Sequence, residues 1–250
     1  MTSILTVKHM SGGYTRQHPV LHDLSFELNA GELVGLVGLN GAGKSTTIKH
    51  ILGLLDPFDG EVRIGGKTIR EDKLGYRRQL AYVPEIPELY EQLTLEEHLR
   101  LTAMAYQLDE KTFEERSARL LQLFRLEKRL HWFPTHFSKG MRQKVMILCA
   151  FLAHPDLYIV DEPFVGLDPI GIQSLLDLMV EMKGEGAGIL MSTHILSTAE
   201  QYCDRFIILH EGIIAAQGTL DQIRKKFGDA RASLQEIYLA VARGETEWIS

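Results

Sequence analysis

At 250 residues, 45% hydrophobic and 24% charged, the chain has room for one large or two small globular domains with a sizeable core. Its 27 Lys and Arg stand against 33 Asp and Glu, a formal charge of −6, and this acidic balance argues against nucleic acid as a partner. The two cysteines, Cys149 and Cys203, fit reduced, buried thiols in a cytosolic protein, and the best apolar run, residues 145–153, is far short of the roughly 20 residues that a membrane span needs.

The elements follow in chain order. ILTVKH and LHDLSFEL alternate and predict antiparallel strands, NAGE supplies a turn, and ELVGLVG is a short apolar strand. A helix is expected after it, with Ile48, Ile51, Leu52 and Leu55 on one stripe. EVRIGGKTI reads as a hairpin turning at Gly65 and Gly66, and LAYVP as a further strand. That strand runs into AYVPEIPELYEQ, residues 81–92, where Pro84 and Pro87 bracket Glu85. Thr94 and Glu97 form a capping-box pattern, and a charged helical pattern then continues to about Arg129, marked by Leu99, Tyr106, Phe113, Leu120 and Phe124.

Another helix is expected from Ser138. LYIVDE, GILMS and RFIILH are short buried strands alternating with helices over 170–183 and 195–203. The chain closes with ASLQEIYLAVARGE, a short amphipathic helix and a polar end. Strand–helix alternation predicts an α/β fold with a parallel sheet, into which a helical stretch is inserted. The expected division is an α/β core of residues 1–85 and 156–228, including an N-terminal antiparallel β subdomain. A helical subdomain of 86–155 and a C-terminal helix and tail of 229–250 complete it.

The most specific motif is Gly38-Leu39-Asn40-Gly41-Ala42-Gly43-Lys44-Ser45, followed by Thr46, which matches G-x-x-x-x-G-K-[ST] between a strand and a helix. Such a loop turns successive backbone N–H groups and a helix N-terminus toward phosphate. Lys44 is expected to reach the β- and γ-phosphates, and the Ser45 hydroxyl to ligate Mg²⁺. Asp161 and Glu162 end a four-residue apolar run, where sites of open α/β sheets sit. Asp161 suits a metal, and Glu162 suits the polarisation of an attacking water.

The motif, with Tyr14, Phe137-Ser138-Lys139-Gly140-Met141, Asp161-Glu162, Gly166-Leu167-Asp168 and Ser192-Thr193-His194 in this order, resembles the ATP-binding subunits of ABC transporters over nearly the whole chain. YVPE, FSKGMRQK and DEPFVGLDP look most like the Ecs-type transporters of Gram-positive bacteria. The resemblance implies a P-loop NTPase fold with a RecA-like parallel sheet. It also implies ATP hydrolysis with Mg²⁺, and a separate multi-spanning permease that holds the subunit at the inner face of the cell membrane, in an exporter.

By the same resemblance Tyr14 stacks on adenine, and Ser138 and Gly140 face the γ-phosphate held by a second copy of the chain. Asp168 contacts that copy, and His194 binds the γ-phosphate. Two departures stand out. Lys139 and Met141 replace residues of the usual Leu-Ser-Gly-Gly-Gln signature, and Glu85 stands where the family has a glutamine at the metal. The alternatives are a soluble ATPase of the same class acting on ribosomes or DNA, and a kinase. One module without long heptads fits the first poorly, and the Ser138 signature has no use in the second.

Overall fold

The structure, a computed structural model, describes residues 3–244. Three five-residue strands, β3 (Leu33–Val37), β6 (Leu157–Asp161) and β7 (Gly188–Ser192), are buried at every position, as strands covered on both faces must be. With β5 (Leu80–Val83), β8 (Arg205–His210) and β9 (Ile213–Gly218) they form one sheet in the order β5-β6-β7-β3-β8-β9. Every pairing is parallel except β8–β9. Register sets Asp161 beside Ser192 and Ser192 beside Leu36, so the segments leaving β3, β6 and β7 depart from one edge.

Side chains alternate between two cores. On one face, Leu157, Ile159, Val34 and Leu36 pack with α1 (Lys44–Ile51) and with the three-stranded antiparallel sheet of β1 (Ser3–Gly12), β2 (Leu21–Asn29) and β4 (Asp59–Ile64). On the other, Tyr158, Val160 and Ile189 meet the helical part. This comprises α3 (Leu95–Tyr106), α4 (Glu110–Phe124) and α5 (Lys139–Ala153), and its core includes Leu99, Phe113, Phe124, Val145 and Leu148. Each such fully buried side chain contributes roughly 1.5–3 kcal/mol. Helix α6 (Pro169–Gly184) adds Leu175 and Met179 to this core.

The expected hairpin at Gly65 and Gly66 is a tight turn only. β4 ends at Ile64, which bridges Lys67, and pairs instead with β1. The next residues form α2 (Lys73–Arg78), a short helix capped by Asp72 that the pattern did not reveal. The helical stretch from 94 holds two helices. The Thr94–Glu97 capping box is formed, but Gln107 closes α3 in the left-handed region (φ 58°) and Asp109 caps α4 anew.

After α7 (Leu196–Tyr202), the C-terminal part holds α8 (Leu220–Phe227) and α9 (Leu234–Ala242). Helix α9 buries Leu234, Ile237 and Val241 with Ile223, Phe206, Ile208 and Val37. The last part of the expected polar end, 245–250, lies outside the described residues. Both cysteines are free and half-buried, and burial pushes the Cys149 thiol up to about 11. Among the described residues no helix is long and apolar enough to cross a membrane.

Candidate functional site

The loop from Gly38 leaves the central strand β3 and ends where α1 begins. Gly43 caps α1 with φ 108°, a conformation that L side chains rarely adopt, and no side chain caps the helix. Its first N–H groups are therefore left for an anion at the positive end of the helix. Lys44 is buried (7% exposed), and its Nζ donates to the carbonyls of Gly38 (2.7 Å) and Leu39 (3.3 Å). Gly212, in the β8–β9 turn, locks the loop from behind. Its N–H donates to the Ala42 carbonyl (3.1 Å), and its own carbonyl accepts from His22 N–H of β2 (2.9 Å).

This loop floors a cleft of about 810 Å³ lined by Tyr14, Gly38, Leu39, Asn40, Gly41, Gly43, Lys44, Ser45, Thr46, Glu85, Glu162 and His194. Tyr14 is exposed at one end. Lys49 of α1 donates to its hydroxyl (3.0 Å) and lies 5.2 Å from the ring centroid, and that hydrogen bond lowers the phenol's pKa. Glu162 sits at a non-glycine positive φ of 44° and is buried. Its Oε2 accepts from the His194 backbone N–H (3.2 Å) and lies 2.7 Å from His194 Nδ1. With Nδ1 as the donor to the carboxylate, the ring keeps Nε2 for a second partner.

Ala42 and Asp161 stand apart from the cleft surface. Ala42 is buried, with both backbone polar groups engaged, its N–H to the Leu39 carbonyl and its carbonyl to Gly212. Asp161 is also buried, and accepts from the Ser192 hydroxyl through Oδ1. Burial raises its carboxyl above the usual range, helped by the charges of Glu162 and Glu85 and opposed by the Ser192 hydrogen bond and by Lys44. Tyr82 is pushed up as well, first by burial and then by Asp161. Ser45, Glu85 and Glu162 line the cleft and the charges of both glutamates act on Asp161, a set of oxygen donors that suits a hard divalent cation. Among the described residues no group of three acidic, His or Cys side chains is placed to hold a metal ion.

Ser138, Gly140 and Asp168 do not line this chain's own cleft. Ser138 is exposed and caps α5, accepting from Met141 N–H (3.3 Å). Asp168 caps α6, accepting from Gly171 N–H (3.2 Å), and pairs with Lys144 of α5 (2.9 Å), which lowers its pKa. The three residues thus form one surface, separate from the loop.

Three cleft residues escaped the sequence reading: Val20, Leu196 and Tyr238. Tyr238 comes from α9, over two hundred positions from Tyr14, and no local motif announces it. The position of Leu196 two residues after His194 was the only available signal.

Residues 21–165 match the family model described as "ABC transporter". The chain is similar to the ABC-type transporter ATP-binding protein EcsA of Bacillus subtilis (strain 168), 60% identical over 241 residues, which cover 96% of this chain and 97% of that protein. A solved structure described as an ATP binding subunit of an ABC transporter superposes with a TM-score of 0.93 at 60% identity, covering 95% of this chain and 99% of the other. cbiO1 from Clostridium perfringens, described as part of the ABC transporter complex cbiONQ, superposes with a TM-score of 0.76 at 26% identity, covering 91% and 92%.

Proposed function

The chain belongs to the ABC transporter family, as its ATP-binding and ATP-hydrolysing component, and on that premise we propose how its residues divide the work. ATP lies along the cleft, with adenine on Tyr14 and the phosphates over the loop of residues 38–46. Lys44 leaves its loop carbonyls for the terminal phosphates. Glu162 takes the proton of the attacking water. His194, oriented through Nδ1 by Glu162, holds the γ-phosphate. The reaction is phosphoryl transfer to water, carried by position and charge rather than by a covalent enzyme intermediate.

Ser45, Asp161 and Glu85 hold Mg²⁺, Asp161 directly or through water. When bound, the ion neutralises charge on the β- and γ-phosphate oxygens. The observation that carries the whole reading is the Glu162–His194 pair facing Lys44 and Ser45 across one cleft, while Ser138 and Gly140 lie outside it. That separation supports a dimer with two ATP molecules between the subunits, each loop completed by the partner's Ser138 and Gly140.

The helical subdomain, 86–155, docks on a multi-spanning permease and so keeps the subunit at the inner face of the cell membrane. cbiO1, part of a larger transporter complex, supports a separate partner. Export is the direction proposed, on the Ecs-type resemblance. Purification from native membranes tests this: the chain is expected to bring down a protein with many apolar spans, and ATP hydrolysis is expected to rise in that complex. Recovery only with ribosomes or DNA would refute the transport reading.

A further inference from the structure

Helix α9 is tied to the helix that follows His194. Glu200 of α7 accepts the Leu234 N–H on Oε2 (2.9 Å) and pairs with Arg224 of α8 (3.3 Å), whose Nε donates to the Ala232 carbonyl (2.8 Å). A capping box between Ser233 and Glu236 fixes the first turn of α9. Tyr238 of this helix belongs to one apolar cluster with Val37, and Leu196 packs against it. Val37 directly precedes Gly38, and Leu196 comes two residues after His194. Tyr238 is thereby held at the His194 side of the cleft, whereas Val20, another apolar residue of the wall, belongs to the core of α1 and the antiparallel sheet.

Tyr238 is 8% exposed, and its hydroxyl has no hydrogen-bond partner among the described residues. A buried donor without an acceptor costs stability that phenylalanine, of the same shape, avoids. One other buried phenol among those residues lacks a partner, Tyr158, which stacks on Phe151 inside the core (ring centroids 4.6 Å apart). Of the two, only Tyr238 lines the cleft. Burial pushes its phenol up to about 12, so at neutral pH the hydroxyl keeps its proton and remains a donor.

We propose that Tyr238 is a further nucleotide-binding residue, its hydroxyl donating to the γ-phosphate of the ATP held in its own chain. A phosphate oxygen at the His194 side supplies the acceptor that the fold does not. The hydroxyl is itself covered, so the contact requires a small movement of the wall, where Leu196 packs against the same cluster. The C-terminal helix then forms part of the nucleotide site and distinguishes ATP, which engages the hydroxyl, from ADP, which leaves it stranded. The proposal rests on the reading that ATP fills this cleft with its γ-phosphate at His194.

The test titrates the purified full chain, in the presence of Mg²⁺, with the non-hydrolysable β,γ-imido analogue of ATP and separately with ADP. Wild type, Tyr238→Phe and Lys44→Ala are compared. Tyr238→Phe keeps the ring and removes only the hydroxyl, so Tm without nucleotide is expected to hold or rise. Its affinity for the triphosphate analogue is expected to fall about tenfold, the effect of one net hydrogen bond to a charged acceptor. Its affinity for ADP is expected to stay that of wild type. The ratio of the two dissociation constants is a readout that a merely structural role does not move.

Wild-type affinity of Tyr238→Phe for the analogue overturns the proposal. So does a loss that ADP shares equally, which marks a packing role. Either result beside weakened binding by Lys44→Ala leaves the ATP reading of the cleft standing. If Lys44→Ala binds both ligands as wild type does, that reading falls and the proposal with it. If Tyr238→Phe does not fold, Tyr238→Leu, which also lacks the hydroxyl, is judged by the same ratio.

Discussion

A methyl group on Gly140 would stand 2.2 Å from the carbonyl oxygen of Gly166, so the segment that begins α5 and the one that precedes α6 are in direct backbone contact. No side chain fits between them. Gly140→Ala must push 166–168 outward, with Asp168 and its Lys144 partner. Turnover is expected to fall roughly tenfold or more, a barrier change of about 1.4 kcal/mol. Since Gly140 lies outside its own cleft, single-chain ATP affinity is expected to persist. Parallel ATPase and binding measurements check this, and equal losses in both would place Gly140 in the wrong site.

Ser138→Arg sets a bulky cation where the partner's γ-phosphate is proposed to lie, and should abolish hydrolysis without preventing ATP binding. Mixed with Lys44→Ala, it forms dimers in which one composite site carries both defects and the other none. Partial recovery of activity in the mixture is the expected result. Its absence, with mixed dimers demonstrated, would mean that each chain acts alone or that both sites must fire together.

Lys44→Ala removes the cation buried in the loop, and ATP affinity with Mg²⁺ is expected to fall by about tenfold or more, the value of one charge-assisted contact. Equilibrium binding decides, and an unchanged Kd refutes the loop assignment.

Glu162→Gln retains an acceptor for the His194 N–H but loses the base. Turnover is expected to drop by roughly 10²–10⁴. Unhydrolysed ATP should then hold a dimer visible by size-exclusion chromatography. A variant that turns over normally, or stays monomeric at saturating ATP, contradicts the proposed role.

Asp161 gives a pH prediction. Burial, the largest cause, and then Glu162 and Glu85 raise its carboxyl, so the fold favours the protonated form. That contribution is fully present below the unfolded-state pKa and is lost as pH rises through the higher folded-state value. At neutral pH the chain without nucleotide carries a buried carboxylate at a cost. Asp161→Asn keeps an acceptor for Ser192 and should raise Tm at pH 7.5 by a few degrees, on the order of 1 kcal/mol. The gain should shrink near pH 4.5, and Mg²⁺-dependent ATP binding should weaken. Thermal scans at the two pH values test it, and a Tm at pH 7.5 no higher than wild type would sink the argument.

The loop was legible because its chemistry is contiguous: Gly38 to Ser45 carry both the turn and the charge. The buried strands were legible because LYIVD and GILMS admit no exposed face. What the sequence concealed depends on distance or on weak local signals. β9, IIAAQG, is a half-exposed edge strand without alternation. α2 spans six residues and contains Gly75. The break between α3 and α4 falls at Gln107, a residue without the usual mark of a left-handed stop. Tyr238 reaches the cleft because α9 packs back on β3 and β8, and the Gln143–Pro84 hydrogen bond joins residues 59 positions apart.

Gly212 binds the phosphate loop to β2, and Lys49 binds Tyr14 to the helix that the loop opens. A nucleotide laid along the cleft therefore meets a ruler. Tyr14 and the loop are each tied to the fold by contacts that the ligand does not make. On the proposed binding mode a purine triphosphate would reach both marks at once, whereas a triphosphate without a base would keep the loop alone.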